Sequence, residues 1–152
     1  MARISVGDKA PDFNKTDQNG APVSLEQFRG EKVVVLYFYP KDDTPGCTAE
    51  ACSFRDNYED FLEAGAAVIG VSSDDEASHK AFAERHKLPF HLVADTDGSL
   101  RKAYKVPRMF LMPGRSTYVI DKAGVVRHMF DSQIQAKRHV DEALEAVRTL
   151  AR

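Results

Sequence analysis

Two cysteines, the only ones in the chain, lie five residues apart at Cys47 and Cys52. The residues before Cys47 favour the start of a helix, because Thr44 is a good N-cap and Pro45 would take the first helical position, where proline is favoured. Cys47 then lies among unpaired backbone N–H groups at the positive end of the helix dipole. These groups favour the thiolate, which is the nucleophilic form of cysteine. The alternative is a small buried residue without chemistry, as most isolated cysteines are.

The five-residue spacing limits how the two cysteines could react with each other. In an intact helix their Cα atoms would lie roughly 8–9 Å apart, and their side chains would point about 140° away from each other. A disulfide needs Cα atoms within about 7 Å, so the pair could join only after the first turns unwind. Such a pair suits a reaction in which Cys47 first attacks a peroxide and forms a sulfenic acid, with which Cys52 then condenses.

The segment around Cys47 resembles the active-site motif of a known family. The spacing Pro40-x-x-x-Thr44-x-x-Cys47 is similar to that of the peroxiredoxins, and the longer TPGCTAEAC resembles their peroxiredoxin Q subgroup, also called bacterioferritin comigratory protein. The resemblance extends over nearly the whole chain, through the segments GDKAPDF, VSSDD and PGRSTYVID. It implies a thiol-dependent peroxidase with a thioredoxin-like fold that reduces hydrogen peroxide and organic hydroperoxides without a metal, haem or flavin cofactor.

The resemblance also implies a role for each cysteine. Cys47 matches the peroxidatic cysteine, and Cys52 matches the resolving cysteine of those members that carry it in the same helix. The disulfide between them would be reduced by thioredoxin or a similar dithiol protein. Because this subgroup resolves within one chain, the resemblance implies a monomer. Two alternatives stay open: a redox sensor that uses the same cysteines to signal to a partner, and a thioredoxin-like binding module with unreactive cysteines.

Four further residues match site positions of the family. The resemblance implies that Thr44 holds the peroxide beside the thiolate and that Pro40 shields the pocket from water. It implies that Arg115 reaches the site from a distant segment and that Glu50 orients polar groups near it. The Thr44 hydroxyl, the Arg115 guanidinium and the Cys47 N–H could stabilise the charge that develops on the leaving oxygen. Without the resemblance, Thr44 would be a plain N-cap, Arg115 a solvated loop residue and Glu50 an acid favoured near a helix start.

Length and composition fit one globular domain over residues 1–152, since 43% of the residues are hydrophobic and 29% are charged. The net charge of −2, from 21 basic and 23 acidic residues without a basic block, argues against nucleic acid as a partner. No apolar run approaches the roughly 20 residues of a membrane helix, and the N-terminus lacks the apolar core of a signal peptide. These features predict a cytoplasmic protein, in which two cysteines are more often catalytic or redox-sensing than structural.

Alternating strands and helices predict an α/β fold with a mixed central sheet flanked by helices. The continuous apolar run at 33–38 is typical of a strand buried on both faces. It leads into the cysteine-bearing helix, predicted over 45–64 with a core face of Phe54, Tyr58, Phe61 and Leu62. The other predicted elements are strands at 67–72, 90–94, 117–121 and 125–130, and helices beginning within 73–76 and lying at 100–104 and 135–150.

Three other patterns have plain structural interpretations. The acidic run at 73–76 resembles a metal site, but acids that cap and open a helix need no ion. The five histidines, at positions 79, 86, 91, 128 and 139, show neither metal-ligand spacing nor the pairing with cysteine that a Cys–His hydrolase needs. The apolar run at 109–112 could wall the active site and admit larger hydroperoxides, or pack in the core. No metal ligand set is therefore predicted.

Overall fold

The computed structural model describes residues 4–108, 114–133 and 135–151. Seven strands and five α-helices follow each other within these residues, together with a 3₁₀ turn at Glu26–Phe28. The elements are β1 (Asn14–Thr16), β2 (Pro22–Ser24), β3 (Val33–Phe38), α1 (Pro45–Asp56), α2 (Tyr58–Glu63), β4 (Ala66–Ser72), α3 (Glu76–His86), β5 (His91–Ala94), α4 (Ser99–Ala103), β6 (Ser116–Ile120), β7 (Val126–Asp131) and α5 (Ala136–Ala151).

A five-stranded mixed sheet with the order β5-β4-β3-β6-β7 forms the centre of the molecule. The β3–β4 and β4–β5 pairs are parallel, whereas the β3–β6 and β6–β7 pairs are antiparallel. Strand β3 is buried along its whole length, because alternate side chains enter two hydrophobic clusters on opposite faces of the sheet. The predicted α/β fold with a mixed sheet, and the predicted hairpin of its last two strands, are confirmed.

The cysteine-bearing helix is shorter than predicted. The expected helix over 45–64 is broken at Asn57, which separates α1 from α2. The Asn57 amide Nδ2 donates to the Ser53 carbonyl at 2.8 Å, and the Asn57 N–H donates to the same carbonyl, so the helix ends on a side-chain bond that competes with continuation. Phe54 and Phe61 are buried as predicted, but Leu62 is 42% exposed because α2 starts afresh after the break.

The acidic run at 73–76 opens α3, as its capping interpretation predicted. Asp75 is the N-cap residue, and its carboxylate accepts a hydrogen bond from the Ser78 N–H at 2.8 Å. In α5, three apolar residues face the core as predicted: Val140, Leu144 and Val147.

Among the described residues, no helix is long and apolar enough to cross a membrane. The assignment of residues 1–152 to one domain stays a prediction.

Candidate active site

The first turn of α1 places Cys47 at the carboxyl end of the central strand β3. The helix begins as predicted, with Thr44 as the extended N-cap residue and Pro45 at its first position. Cys47 is a free cysteine with 1% of its surface exposed. The Thr44 side chain does not cap the helix, contrary to the plain N-cap interpretation; its hydroxyl donates instead to the Lys41 carbonyl at 3.0 Å. The positive end of α1 therefore lies directly beside the sulfur.

Arg115 reaches this sulfur from a segment 68 residues away. Its Nη2 donates to Cys47 Sγ at 3.3 Å, its Nη1 donates to Glu50 Oε1 at 2.5 Å, and its Nε donates to the Gln133 carbonyl at 3.2 Å. The side chain is buried, so it is not the solvated loop arginine that spacing alone suggested. A buried guanidinium in this position stabilises negative charge on sulfur or on an oxygen bound beside it.

The sheet register explains how Arg115 comes to the site. Ser116 begins β6 and pairs with Phe38, the last residue of β3, in an antiparallel ladder. Arg115 therefore lies just beyond the end of β3, at the same edge of the sheet from which the chain leaves toward α1. Because ligand sites in open α/β sheets lie outside the carboxyl ends of the parallel strands, this edge is a typical place for catalysis.

Glu50 lies one helical turn beyond Cys47 and is fully buried. Burial raises the pKa of its carboxyl to about 7, although the Arg115 guanidinium acts in the opposite direction. Oε1 accepts from Arg115, whereas Oε2 has no hydrogen-bond partner among the described residues. Glu50 therefore holds the guanidinium through Nη1 while Nη2 faces the sulfur, and the ionisation of Glu50 depends on that contact.

The nearby His139 on α5 is not an ionic partner of Glu50, although its Nδ1 lies 3.7 Å from Glu50 Oε2. His139 Nε2 donates to the Ser132 carbonyl at 2.7 Å, so Nδ1, at 2.7 Å from Thr117 Oγ1, accepts from that hydroxyl. Burial lowers the pKa of His139 to about 4, with the Arg115 charge adding to the effect. The imidazole is therefore neutral at physiological pH and supports the site by packing and hydrogen bonding.

Cys52 lies on the same helix and is a free, half-buried cysteine. Because α1 is continuous from Pro45 to Asp56, the two sulfurs are held on a regular helix with Cα atoms roughly 8–9 Å apart. The two cysteines are therefore apart on an intact helix, as the spacing predicts for the dithiol form. A disulfide between the two cysteines requires the start of α1 to unwind.

Arg101 on α4 joins the two segments that form the site, and the sequence pattern did not indicate it. Its Nη1 donates to the Gly114 carbonyl at 2.7 Å, and its Nη2 donates to the Tyr39 carbonyl at 2.9 Å. Tyr39 directly precedes the half-buried Pro40, and Gly114 directly precedes Arg115. The guanidinium thus connects the segment leading into α1 with the segment leading into β6. No spacing rule could have found it, because both of its acceptors are backbone carbonyls.

One group of described residues has the geometry of a cation site. Oxygen and nitrogen atoms of Asp42, Asp74 and His79 lie within 4.8 Å of one another. These atoms are already engaged, since Asp74 Oδ2 accepts from the Asp42 N–H and from Ser72 Oγ, and Asp42 Oδ2 lies 2.7 Å from His79 Nδ1. The group is therefore organised as a hydrogen-bond network.

The apolar run at 109–112, for which the sequence left a place in the active-site wall or in the core, lies outside the described residues.

Replacing Gly46 by alanine is expected to slow the reaction of Cys47 with peroxide without destabilising the fold. A Cβ at this position would lie 3.0 Å from Arg115 Nη2, so the guanidinium would have to shift away from its place beside the sulfur. Alanine is also the better helix former by about 1 kcal/mol. Stopped-flow rates and thermal unfolding of Gly46→Ala should show a slower peroxide reaction with an unchanged or raised Tm. A variant with the wild-type rate would mean that the guanidinium has room to adjust.

Comparison with known proteins places these features in a family context. The sequence model of the AhpC/TSA family matches residues 6–129. Chloroplastic peroxiredoxin Q from Sedum lineare is 50% identical over 152 residues, which cover 99% of this chain and 81% of that protein. Chloroplastic peroxiredoxin Q from Arabidopsis thaliana is 53% identical over 147 residues, which cover 95% of this chain and 68% of that protein.

Solved structures agree with the sequence relatives. Peroxidoxin BcpB from Mycobacterium tuberculosis superposes with a TM-score of 0.91 at 36% identity, over 97% of this chain and 99% of that chain. Xanthomonas campestris peroxiredoxin Q superposes with a TM-score of 0.87 at 31% identity, over 98% of both chains. A Xanthomonas campestris bacterioferritin comigratory protein, described as having alkyl peroxide reduction activity, gives a TM-score of 0.87 at 30% identity over the full length of both chains. These neighbours have the thioredoxin fold, which confirms the predicted fold.

Proposed function

Since the chain belongs to the AhpC/TSA family and is a thiol peroxidase of the peroxiredoxin Q group, we propose that Cys47 attacks the peroxide. The observation that carries this assignment is the contact of Arg115 Nη2 with Cys47 Sγ at the start of α1. The thiolate attacks one peroxide oxygen and the O–O bond breaks. Sulfur is oxidised to a sulfenic acid, and the leaving oxygen takes a proton to become water or an alcohol.

The other site residues have separate roles in the proposed reaction. Arg115 and the Thr44 hydroxyl donate to the oxygens on which negative charge develops, while the Cys47 N–H supports the same charge. Glu50 positions Arg115 through the 2.5 Å contact described above. Pro40, half-buried where the chain leaves β3, limits the access of water to the thiolate. The Arg115 guanidinium is held by the fold before peroxide binds, whereas the Thr44 hydroxyl has to turn from the Lys41 carbonyl toward the peroxide.

Resolution of the sulfenic acid is proposed to involve Cys52. Its thiol attacks the Cys47 sulfur, water leaves, and a disulfide forms after the start of α1 unwinds. An external dithiol protein such as thioredoxin then reduces the disulfide, and the cycle needs only one copy of the chain.

The Xanthomonas campestris neighbour described as reducing alkyl peroxides supports organic hydroperoxides as substrates beside hydrogen peroxide. The cytoplasmic location stays a prediction, since the relatives from Sedum and Arabidopsis are chloroplastic.

One equivalent of hydrogen peroxide should remove both thiols from the reduced protein. We expect intact mass spectrometry to show a monomer lighter by two hydrogens with no added oxygen, and a thiol titration to find none free. Cys47→Ser should not react. Cys52→Ser should gain one oxygen and keep it as a sulfenic acid on Cys47. A wild-type protein that gains oxygen while the Cys52 thiol remains free would retain Cys47 as the nucleophile and exclude Cys52 from the mechanism.

The redox-sensor hypothesis uses the same first step and stays a prediction. It requires a partner that binds only the oxidised chain, together with slow turnover in the presence of a dithiol reductant. Turnover with thioredoxin in the steady state therefore separates it from the peroxidase function.

A further inference from the structure

The loop between β3 and α1 is held by the buried carboxylate of Asp42, which lies between Pro40 and Thr44 of the cysteine motif. Asp42 Oδ1 accepts from the Tyr39 hydroxyl at 2.6 Å, and Asp42 Oδ2 accepts from Ser78 Oγ at 2.8 Å and lies 2.7 Å from His79 Nδ1. The Asp42 N–H donates to Asp74 Oδ2 at 2.8 Å. The residue is 5% exposed, although it lies only two positions before the N-cap of α1.

His79 links the Asp42 carboxylate to the central sheet. Its Nδ1 faces the Asp42 carboxylate, and its Nε2 lies 3.0 Å from the Val93 carbonyl in β5. These contacts connect the loop, through α3, to β5. The Tyr39 hydroxyl, at 3.4 Å from Nδ1, uses its hydrogen on Asp42. Hydrogen bonds that end on a carboxylate are charge-assisted and hold their partners more strongly than neutral ones.

The backbone that follows Asp42 is strained and therefore needs such support. Asp43 has a φ of 60°, in the left-handed region that non-glycine residues seldom adopt. Residues in such conformations persist only where the surroundings hold them. The Asp43 carboxylate forms an ion pair with Arg85 on α3, and the Thr44 hydroxyl donates back to the Lys41 carbonyl. Both acidic residues of the loop are thus tied to α3, and Thr44 is the next residue along the chain.

We propose that Asp42 is a positioning residue for the peroxide reaction, which acts by holding the loop that presents the Thr44 hydroxyl beside Cys47. The inference rests on the proposed function, in which the Thr44 hydroxyl exchanges its bond to the Lys41 carbonyl for one to the bound peroxide. It assigns α3, through Ser78 and His79, the task of fixing the active-site loop, although neither residue touches Cys47. A displacement of about 1 Å in a catalytic donor can lower a rate about 100-fold, so such support has a measurable effect on the chemistry.

The test compares two reactions of the same sulfur. Reaction with hydrogen peroxide depends on the Thr44 donor, whereas alkylation by iodoacetamide needs only the thiolate. We expect Asp42→Ala to lower the second-order rate constant with peroxide about 10- to 100-fold and to leave the alkylation rate unchanged. The matched control is Asp17→Ala, which removes another buried aspartate from a contact with a histidine, since Asp17 Oδ2 lies 2.8 Å from His91 Nδ1. This control should leave both rates unchanged.

A double-mutant cycle with Thr44→Val separates positioning from a general loss of structure. If Asp42 acts through Thr44, the double variant Asp42→Ala/Thr44→Val should react with peroxide no more slowly than Thr44→Val alone. Wild-type peroxide reactivity of Thr44→Val would overturn the proposed role of Thr44 itself. A slow Thr44→Val combined with an unaffected Asp42→Ala would overturn the positioning inference alone, as would equal losses of both reactions in Asp42→Ala.

If Asp42→Ala does not fold, Ser78→Ala tests the positioning role of Asp42 instead. It removes one donor to the Asp42 carboxylate from a half-buried helical position, where alanine is well tolerated. We expect the peroxide rate to fall about three- to tenfold, the size that loss of one hydrogen bond would give, with alkylation unchanged. Ser78→Thr should restore the rate, since it restores the hydroxyl. A wild-type peroxide rate in Ser78→Ala would contradict the inference.

Discussion

Replacing Arg115 by methionine should lower the rate constant of Cys47 with hydrogen peroxide by about 10²–10³-fold, the usual cost of removing a preorganised donor from a developing oxyanion. Methionine fills similar space but donates no hydrogen bond, so it loses the contacts to Cys47 Sγ and Glu50 Oε1 together. Competition with a second peroxidase for limiting peroxide measures the rate constant directly.

The same substitution should destabilise the protein, and the two effects can be separated. Without Arg115, the fully buried Glu50 carboxylate has no charged partner, and breaking such a pair costs about 3–5 kcal/mol. The double variant Arg115→Met/Glu50→Gln should recover much of that stability because it also removes the unpaired charge. It should not recover the peroxide rate. Recovery of both quantities would show that Arg115 acts only on folding.

The position of the nucleophile could be predicted from the sequence because it depends on local chemistry. Thr44 and Pro45 specify the start of α1, and this start alone places Cys47 in the first turn. The strand at 33–38 could be predicted in the same way, since an uninterrupted β-branched and aromatic run favours a strand that is buried on both faces of the sheet. In both cases the determining residues lie within a few positions of each other.

The partners of the nucleophile could not be found in the same way, because tertiary pairing brings them together. From spacing alone, Arg115 would be interpreted as a solvated loop residue. Its approach to Cys47 depends on the antiparallel pairing of Phe38 with Ser116. Arg101 binds only backbone carbonyls, which leave no pattern in the sequence. The break at Asn57 was missed for a related reason, since one side-chain hydrogen bond outweighs the weak propensity of the surrounding residues to continue a helix.

His139 should make the folded state sensitive to acid. Its pKa is about 4 in the folded protein because burial disfavours the charged ring, whereas the ordinary value of 6.5 applies to the unfolded chain. The unfolded chain therefore binds the proton more tightly, so the stabilising contribution is complete above pH 6.5 and is lost as pH falls through about 4. Since one pH unit corresponds to about 1.4 kcal/mol, the loss over this window is about 3 kcal/mol. Urea unfolding of wild type and His139→Gln at several pH values measures it.

Glu50 provides the internal control, because its titration acts in the opposite direction. Burial raises its pKa from 4.5 to about 7, so the folded state binds the proton more tightly than the unfolded chain. Its contribution is complete below pH 4.5 and is lost as pH rises through about 7. The two groups thus offset each other between about pH 4.5 and 6.5 in the wild type. We expect His139→Gln to flatten the loss of stability in acid and Glu50→Gln to steepen it. Parallel curves for wild type and His139→Gln would mean that the ring is protonated equally in the folded and unfolded chains.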